Sequence, residues 1–311
     1  MTMDQQENKS LKPKKKRNWW VLTPLIIIGV IILTVGLYAA YIFNGVKKNV
    51  DNKMYEAVTS IDPELTQKKI KERENINILL LGIDAESSDR GRSDAVIVMT
   101  LKPETEEMQM ISIPRDTRAT IVGRGTVEKI NHAYAYGGAD MAIETVENFL
   151  GVEFDYFVRI NMSGLAELVD ALGTITIQNE LEFSAGGYNF PVGPVELDGD
   201  KTLSYVRMRK QDPKGDFGRT DRQRKVIEGI VNEGATVANA TRIVELTNIL
   251  GENMGTNMEF NDMISLITNY RNTRRNVVNY RMEGTGTTID GIYYYLISDE
   301  EIAKVRDMID S

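Results

Sequence analysis

Within the seventeen residues from Arg207 to Gln223 the chain carries Arg207, Arg209, Asp216, Arg219 and Gln223. Guanidinium groups are planar, permanently charged and present fixed pairs of donors, so arginines gather where phosphate or carboxylate oxygens must be gripped. A second set lies upstream: Asp84, Arg92, Asp94 and Arg115. Two carboxylates beside phosphate oxygens are a common arrangement for magnesium, which keeps water in its remaining positions. Together the sets point to a site for a highly charged phosphate ligand held with a metal. Each set also has a plainer explanation, a surface ion-pair network for the first and ordinary turn residues for the second.

Spacing sets conditions on this chemistry. Arg207 and Arg209 fall on opposite sides of a helix but share a face of an extended segment. To serve one ligand, the preceding helix must end near Tyr205 and the chain must straighten, in keeping with Pro213 and Gly215 just beyond. Arg219 and Gln223 are four apart and share a helix face. Gly218 and Thr220 mark a helix start, whose N-terminus adds backbone donors and partial positive charge. Asp84 closes one strand and Asp94 opens the next, so a nine-residue loop can bring their carboxylates together with Arg92 close by. Arg115 follows Ser112-Ile113-Pro114 at a strand end, where open α/β sheets present ligand groups. Lys129 adds charge there or is simply solvated. His132, the only histidine, reads as a packed or capping residue rather than a catalyst. There is no Gly-x-Ser-x-Gly, His-Glu-x-x-His or Gly-x-x-x-x-Gly-Lys-Ser/Thr motif, which argues against a serine hydrolase elbow, a zinc peptidase and a P-loop nucleotidase.

The elements that must position these residues alternate along the chain. Apolar runs predict strands over 75–84, 94–101 and 108–113, the second apolar on both faces and therefore central. Helices are expected over 134–150, stopped by Gly151, over 162–172, ending at Gly173, and over 198–206, capped by Asp198. Further helices are expected over 220–233, 240–253 and 261–270, and strands over 154–160, 174–178, 276–282 and 292–297. Ser298 with Glu301 forms a capping-box pattern before a last helix. Interleaved strands and helices predict an α/β fold, a mixed central β-sheet flanked by helices on both sides.

Charge and hydropathy place that domain. The chain has 311 residues and net charge −8. Residues 1–18 carry six basic side chains against two acids, net +4, so the remainder carries −12. An acidic body lacks the basic face that nucleic-acid binding needs, so no nucleic-acid partner is expected. Cysteine is absent, which excludes disulfides and thiolate chemistry. Residues 19–43 hold no charge. As a helix they span roughly 37 Å, more than a hydrocarbon core of about 30 Å. Trp19 and Trp20 at one end, with Tyr38, Tyr41 and Phe43 at the other, suit the two interfaces. The expected organisation is a cytoplasmic basic tail (1–18), an uncleaved transmembrane helix (19–43), a polar stalk (44–74) and an extracellular domain (75–311).

As an ordered set, the motifs resemble the LytR-CpsA-Psr family: Gly82-Ile-Asp84, Arg92-Ser-Asp94, Ser112-Ile-Pro-Arg115-Asp116, Lys129-Ile-Asn-His132, Tyr205-Val-Arg207-Met-Arg209 and Asp216-Phe-Gly-Arg219-Thr-Asp-Arg-Gln223. The resemblance runs from about Asn75 to Ala235. It implies an extracytoplasmic, membrane-anchored phosphotransferase of a Gram-positive bacterium, moving a glycopolymer such as wall teichoic acid from a polyprenyl-pyrophosphate carrier to a peptidoglycan hydroxyl. It also implies magnesium or manganese on Asp84 and Asp94, and Arg92, Arg115, Lys129, Arg207, Arg209, Arg219 and Gln223 around the pyrophosphate. Asp94, Asp216 and Arg219 become the catalytic candidates, with Asp94 or Asp216 taking the acceptor proton. The family's lipid tail lies in an apolar tunnel between sheet and helices. The alternatives are a lipid-pyrophosphate hydrolase, a non-catalytic module that binds lipid-linked precursors, and a membrane-bound transcription regulator. For the last, a basic tail of eighteen residues is too short to bind DNA.

Overall fold

Three apolar runs build the middle of the sheet: β1 (Ile76–Asp84), β2 (Arg92–Lys102) and β3 (Glu107–Ile113). In the computed structural model, which describes residues 41, 43–84, 91–234, 251 and 253–311, they pair antiparallel in sequence order. The chain divides into the units Met1–Asn44 and Gly45–Ser311, and this fold belongs to the second. After β3 come a short hairpin, β4 (Arg118–Ile121) with β5 (Thr126–Lys129), and helix His132–Leu150. The chain then returns as β6 (Tyr156–Asn161), parallel to β1. Two later strands complete a mixed six-stranded sheet of order β11-β6-β1-β2-β3-β12, where β11 is Met254–Thr256 and β12 is Asn276–Arg281. The intervening strands, β7 (Ile175–Asn179), β8 (Phe183–Ala185), β9 (Tyr188–Phe190) and β10 (Gly193–Leu197), form two small ribbons. A hairpin of β13 (Thr285–Ile289) and β14 (Ile292–Leu296) follows the sheet.

The helices described around this sheet include α1 (Pro63–Glu72), α2 (His132–Leu150), α3 (Met162–Leu172), α4 (Gly199–Arg207), α5 (Asp216–Gly234), α6 (Phe260–Asn269) and α7 (Asp299–Asp310). Side chains alternate across a strand, and β1 shows the consequence. Leu79, Leu81 and Ile83 enter a core with Ile143, Val146 and Leu150 of α2 and Val305 and Ile309 of α7. Each fully buried aliphatic there contributes roughly 1.5–3 kcal/mol. Ile76 and Ile78 point the other way, into a core shared with Ile70 of α1 and Leu266 of α6. On that same face, nearer the strand ends, α3 and α5 cover the sheet. The expected mixed sheet with helices on both faces is thus the observed architecture.

Residues 45–74, expected as a polar stalk, pack onto the domain. Ile61 joins the α2 core, Tyr55 bridges Thr256, and Lys69 Nζ lies 2.8 Å from the buried Asp155 carboxylate. Asp140 Oδ1 accepts from the backbone amides of Thr59 and Ser60. Much of the Lys and Glu content that reads as a solvated stalk belongs to the outer face of α1, which buries Thr66 and Ile70. The expected spanning segment 19–43 lies almost wholly outside the described residues, as does most of the helix expected over 240–253. At Ser298 only half of the capping box forms. Its Oγ accepts from the Glu301 amide, but the Glu301 carboxylate accepts instead from the Tyr280 hydroxyl and the Glu283 amide.

Candidate functional site

Asp94 owes its position to an irregularity in β2. Gly82 pairs with Ala95 and Ile83 with Ser93, which leaves Asp94 as an extra residue opposite no partner. A bulge of this kind re-aims the side chain it carries, and Asp94 meets α5. Its Oδ2 accepts from Arg115 Nη1 at 2.8 Å and lies 3.7 Å from Arg219 Nη1. Arg115 sits just past β3, beside β2, so the two meet at one end of the sheet.

The downstream cluster is held by a clamp that the motifs do not announce. α5 begins at Asp216, four residues before the expected start. Before it, the 208–215 loop is fixed by Arg222, which donates to Asp212 Oδ2 and to the Met208 carbonyl, each at 2.5 Å, and lies over the Phe183 ring. Asp212 lies directly against Gly218, where an added Cβ would come within 1.8 Å of its Oδ2. This loop aims Arg209 and Asp216. The helix carrying Arg207 runs two residues past Tyr205, and the chain straightens at Met208, which is buried.

The result is one connected network. Asp216 lies 2.9 Å from Arg219 Nη2, 3.4 Å from Arg115 Nε and 4.0 Å from Arg209 Nε. Asp116 lies 3.8 Å from Arg115 Nε and bonds Lys129 Nζ at 2.7 Å, bringing Lys129 into the chain of charges. The two central arginines shift in opposite senses. Burial disfavours charge on Arg115, but Asp94, Asp216 and Asp116 outweigh it and its pKa rises. Burial dominates at Arg219, helped by Arg115 and Arg209, and its pKa falls despite Asp216 and Asp94. Arg219 is therefore a desolvated cation with less anionic compensation than it needs. Among the described residues, Arg219 Nε and Gln223 Oε1 are shielded from solvent without a hydrogen-bond partner, while Arg219 Nη2, Arg115 Nε and Asp216 face one another as ion pairs outside hydrogen-bond geometry. Buried polar atoms with unmet hydrogen-bonding capacity are uncommon in native proteins, and a bound ligand is one way to meet it.

Gln223 faces two ways. One turn after Arg219 on α5, it also lines an apolar cavity of about 280 Å³. The wall includes Leu80, Gly82, Ala95 and Ile97 of the sheet, Leu165 and Leu168 of α3, and Ile227 and Ile230 of α5. Apolar faces that read as ordinary core in the sequence thus enclose a space beside the charged cluster.

The structure brings together Asp94, Arg115, Lys129, Arg209, Asp216 and Arg219, with Gln223 alongside. Arg92, Arg207 and Asp84 stand apart as exposed residues that make no ion pair with described residues. Asp84 nevertheless follows Leu80 and Gly82 on the face toward the cavity, at the same sheet end as Asp94. Among the described residues no group of three or more Asp, Glu, His or Cys is arranged around a metal position. Two carboxylates on one face still suit magnesium, which takes one or two from protein and fills the rest with water and phosphate. His132 makes no ion pair with the network among the described residues. Its Nδ1 lies 3.0 Å from Glu128. The sequence reading missed Asp116, which was visible beside Arg115, and the Asp212–Arg222 clamp, which had no local signal.

The fold is thus an α/β sheet with an apolar cavity beside a buried cluster of arginines and aspartates. The LytR_cpsA_psr family pattern matches residues 39–310, and the chain belongs to that family. It is 40% identical over 292 residues to the polyisoprenyl-teichoic acid–peptidoglycan teichoic acid transferase TagU of Bacillus subtilis (strain 168), covering 94% of this chain and 95% of that protein. The crystal structure of B. subtilis TagU aligns with TM-score 0.63 and 40% identity over 76% of this chain and 95% of that one. A structure of TagT bound to LI-WTA aligns with TM-score 0.66 and 27% identity, covering 81% of this chain and 92% of that one.

Proposed function

We propose that this protein transfers a wall-teichoic-acid-like glycopolymer from a polyprenyl-pyrophosphate carrier to a peptidoglycan hydroxyl, the 6-hydroxyl of N-acetylmuramic acid. The carrying observation is the junction at Gln223, where the apolar cavity wall meets the face of α5 that bears Arg219. A lipid pyrophosphate has this same division between tail and head. The names of the relatives at 40% identity support the transfer chemistry.

In this reading the polyprenyl chain enters the cavity and the pyrophosphate lies among Arg115, Arg209, Arg219 and Lys129, with Arg92 and Arg207 reaching it from the rim. The acceptor oxygen bonds to the phosphorus next to the glycan. The bond from that phosphorus to the bridging oxygen breaks, and polyprenyl phosphate departs with the electron pair. Arginines held by Asp94 and Asp216 are preorganised for the charge that builds on the leaving group. The acceptor proton passes to Asp216, which is ion-paired with Arg219, or to Asp94. Magnesium, or manganese, held by Asp84 and Asp94, would neutralise phosphate charge. The pyrophosphate supplies the driving force, so the reaction needs no nucleotide. It therefore suits a domain outside the cell, anchored by 19–43 with residues 1–18 in the cytoplasm.

The test is the full-length protein in detergent with a lipid-pyrophosphate glycopolymer and peptidoglycan oligomers, followed by mass spectrometry with and without magnesium. A covalent glycopolymer–phosphate–peptidoglycan product and free polyprenyl phosphate are expected. Release of unattached glycopolymer phosphate alone makes the protein a hydrolase, and binding without turnover makes it a precursor-binding module.

A further inference from the structure

The β13–β14 hairpin stands beside the charged network and carries aromatic surface that the proposed reaction has not used. Tyr295 of β14 donates its amide to the Asp116 carbonyl, and its ring lies 5.3 Å from that of Phe217, the neighbour of Asp216. Tyr293 is two residues farther out on the same face, about 7 Å along the strand. The residue is 48% exposed, and its ring centroid is 6.0 Å from Lys129 Nζ. The other side of the ring rests on the hairpin, where a Cβ added to Gly286 would come within 2.6 Å of the Tyr293 hydroxyl. The ring is backed by Gly286 and has the Lys129 ammonium over it at 6.0 Å, while the rest is open to solvent.

Direction decides what such a surface receives. The cavity lies over β6, β1 and β2, the network is centred at the ends of β2 and β3, and the hairpin joins the chain past β3 at Asp116 and Thr117. Cavity and hairpin thus flank the network from opposite sides. Displacement at phosphorus places the entering and departing oxygens in line. A leaving group that withdraws toward the cavity requires an acceptor that arrives from the hairpin side. We propose that Tyr293, backed by Gly286 and flanked by Lys129, is the platform on which a sugar ring of the acceptor glycan strand stacks. A pyranose presents an apolar face of C–H bonds that packs on an aromatic ring, while its hydroxyls reach the Lys129 side. This inference rests on the transferase reading above and adds the acceptor's binding site to it.

The experiment uses the full-length protein and two readouts. In the transfer assay, Tyr293→Ala is expected to raise the acceptor KM about tenfold, leaving kcat and the donor KM within about twofold, and Tyr293→Phe to match wild type. Gly286→Ala, which displaces the ring without deleting it, is expected to raise the acceptor KM as well. Independently of turnover, saturation-transfer NMR with a peptidoglycan disaccharide is expected to show contact with wild type and its loss in Tyr293→Ala. A wild-type protein that makes no linked product removes the transferase reading. Disaccharide contact or an acceptor KM unchanged in Tyr293→Ala overturns the platform, and so does a rise in donor KM in place of acceptor KM.

Discussion

Asp212 and Arg222 meet at 2.5 Å with both side chains only 6% exposed, and neither belongs to the network of Asp94, Arg115 and Arg219. Their effect on that network is indirect, through the loop they hold. Removing one member strands the other as an unpaired buried charge. Arg222→Ala is therefore expected to cost about 3–5 kcal/mol in urea unfolding and to lower transfer through misplacement of Arg209 and Asp216. Lysine lacks the second arm that reaches the Met208 carbonyl, so Arg222→Lys should recover only part of the loss.

The same pair has a pH signature. Burial opposes ionisation of Asp212, but the Arg222 hydrogen bond and charge outweigh it, and its pKa lies below the ordinary 3.8. A depressed folded-state pKa gives stability that is present above the unfolded value and lost as pH falls through the folded one. Unfolding midpoints measured downward from pH 4 should therefore fall less steeply in Asp212→Asn than in wild type.

Asp94 and Asp84 should separate two contributions. Asp94 anchors Arg115 and Arg219, so Asp94→Asn is expected to lower kcat at least about a hundredfold at any magnesium concentration. Asp84 makes no ion pair with described residues. Asp84→Asn should instead raise the magnesium needed for half-maximal rate and approach wild type at saturation. Titrations of rate against magnesium for both variants check this. Equal losses that magnesium does not relieve would remove Asp84 from the metal site.

Ala95 lines the cavity next to the bulge. A larger side chain there intrudes on the space assigned to the lipid. Ala95→Leu is expected to raise the KM for a long-chain polyprenyl donor about tenfold or more and to spare a donor with a short tail. A KM series across chain lengths is the measurement.

Glu128 offers a test away from the reaction. Hydrogen bonds from the Tyr136 hydroxyl at 2.6 Å and from His132 at 3.0 Å hold its pKa down to about 2. Its contribution to stability is present above about 4.5 and lost as pH falls through about 2. Carboxyl NMR titration should show this value, and Tyr136→Phe should move it up toward the ordinary range.

Much of the fold was legible because its signals are local. The unbroken apolar runs of β1 to β3, the glycine stops after Leu150 and Leu172, and the Asp198 cap need only near neighbours to act, and those elements formed close to their expected bounds. Other elements were harder. α1 looked like part of a stalk because its charged outer face outnumbers the residues it buries. The hairpin of β13 and β14 turns at Asp290-Gly291, both with positive φ. That dipeptide favours such a turn, and the signal went unused.

Residue types and their order were enough to establish that this chain carries arginines and aspartates suited to a phosphate-rich ligand, because charge and hydrogen-bonding capacity belong to each side chain. Which of them meet was settled by packing across long separations. A one-residue bulge turns Asp94 toward a helix more than a hundred positions away, and a buried ion pair outside the motif sets the loop that aims Arg209 and Asp216. Periodicity likewise marks a residue as apolar but carries no information on whether the opposing helix lies in contact or stands off. The cavity beside Gln223 exists only because α3 and α5 close over the sheet without filling it.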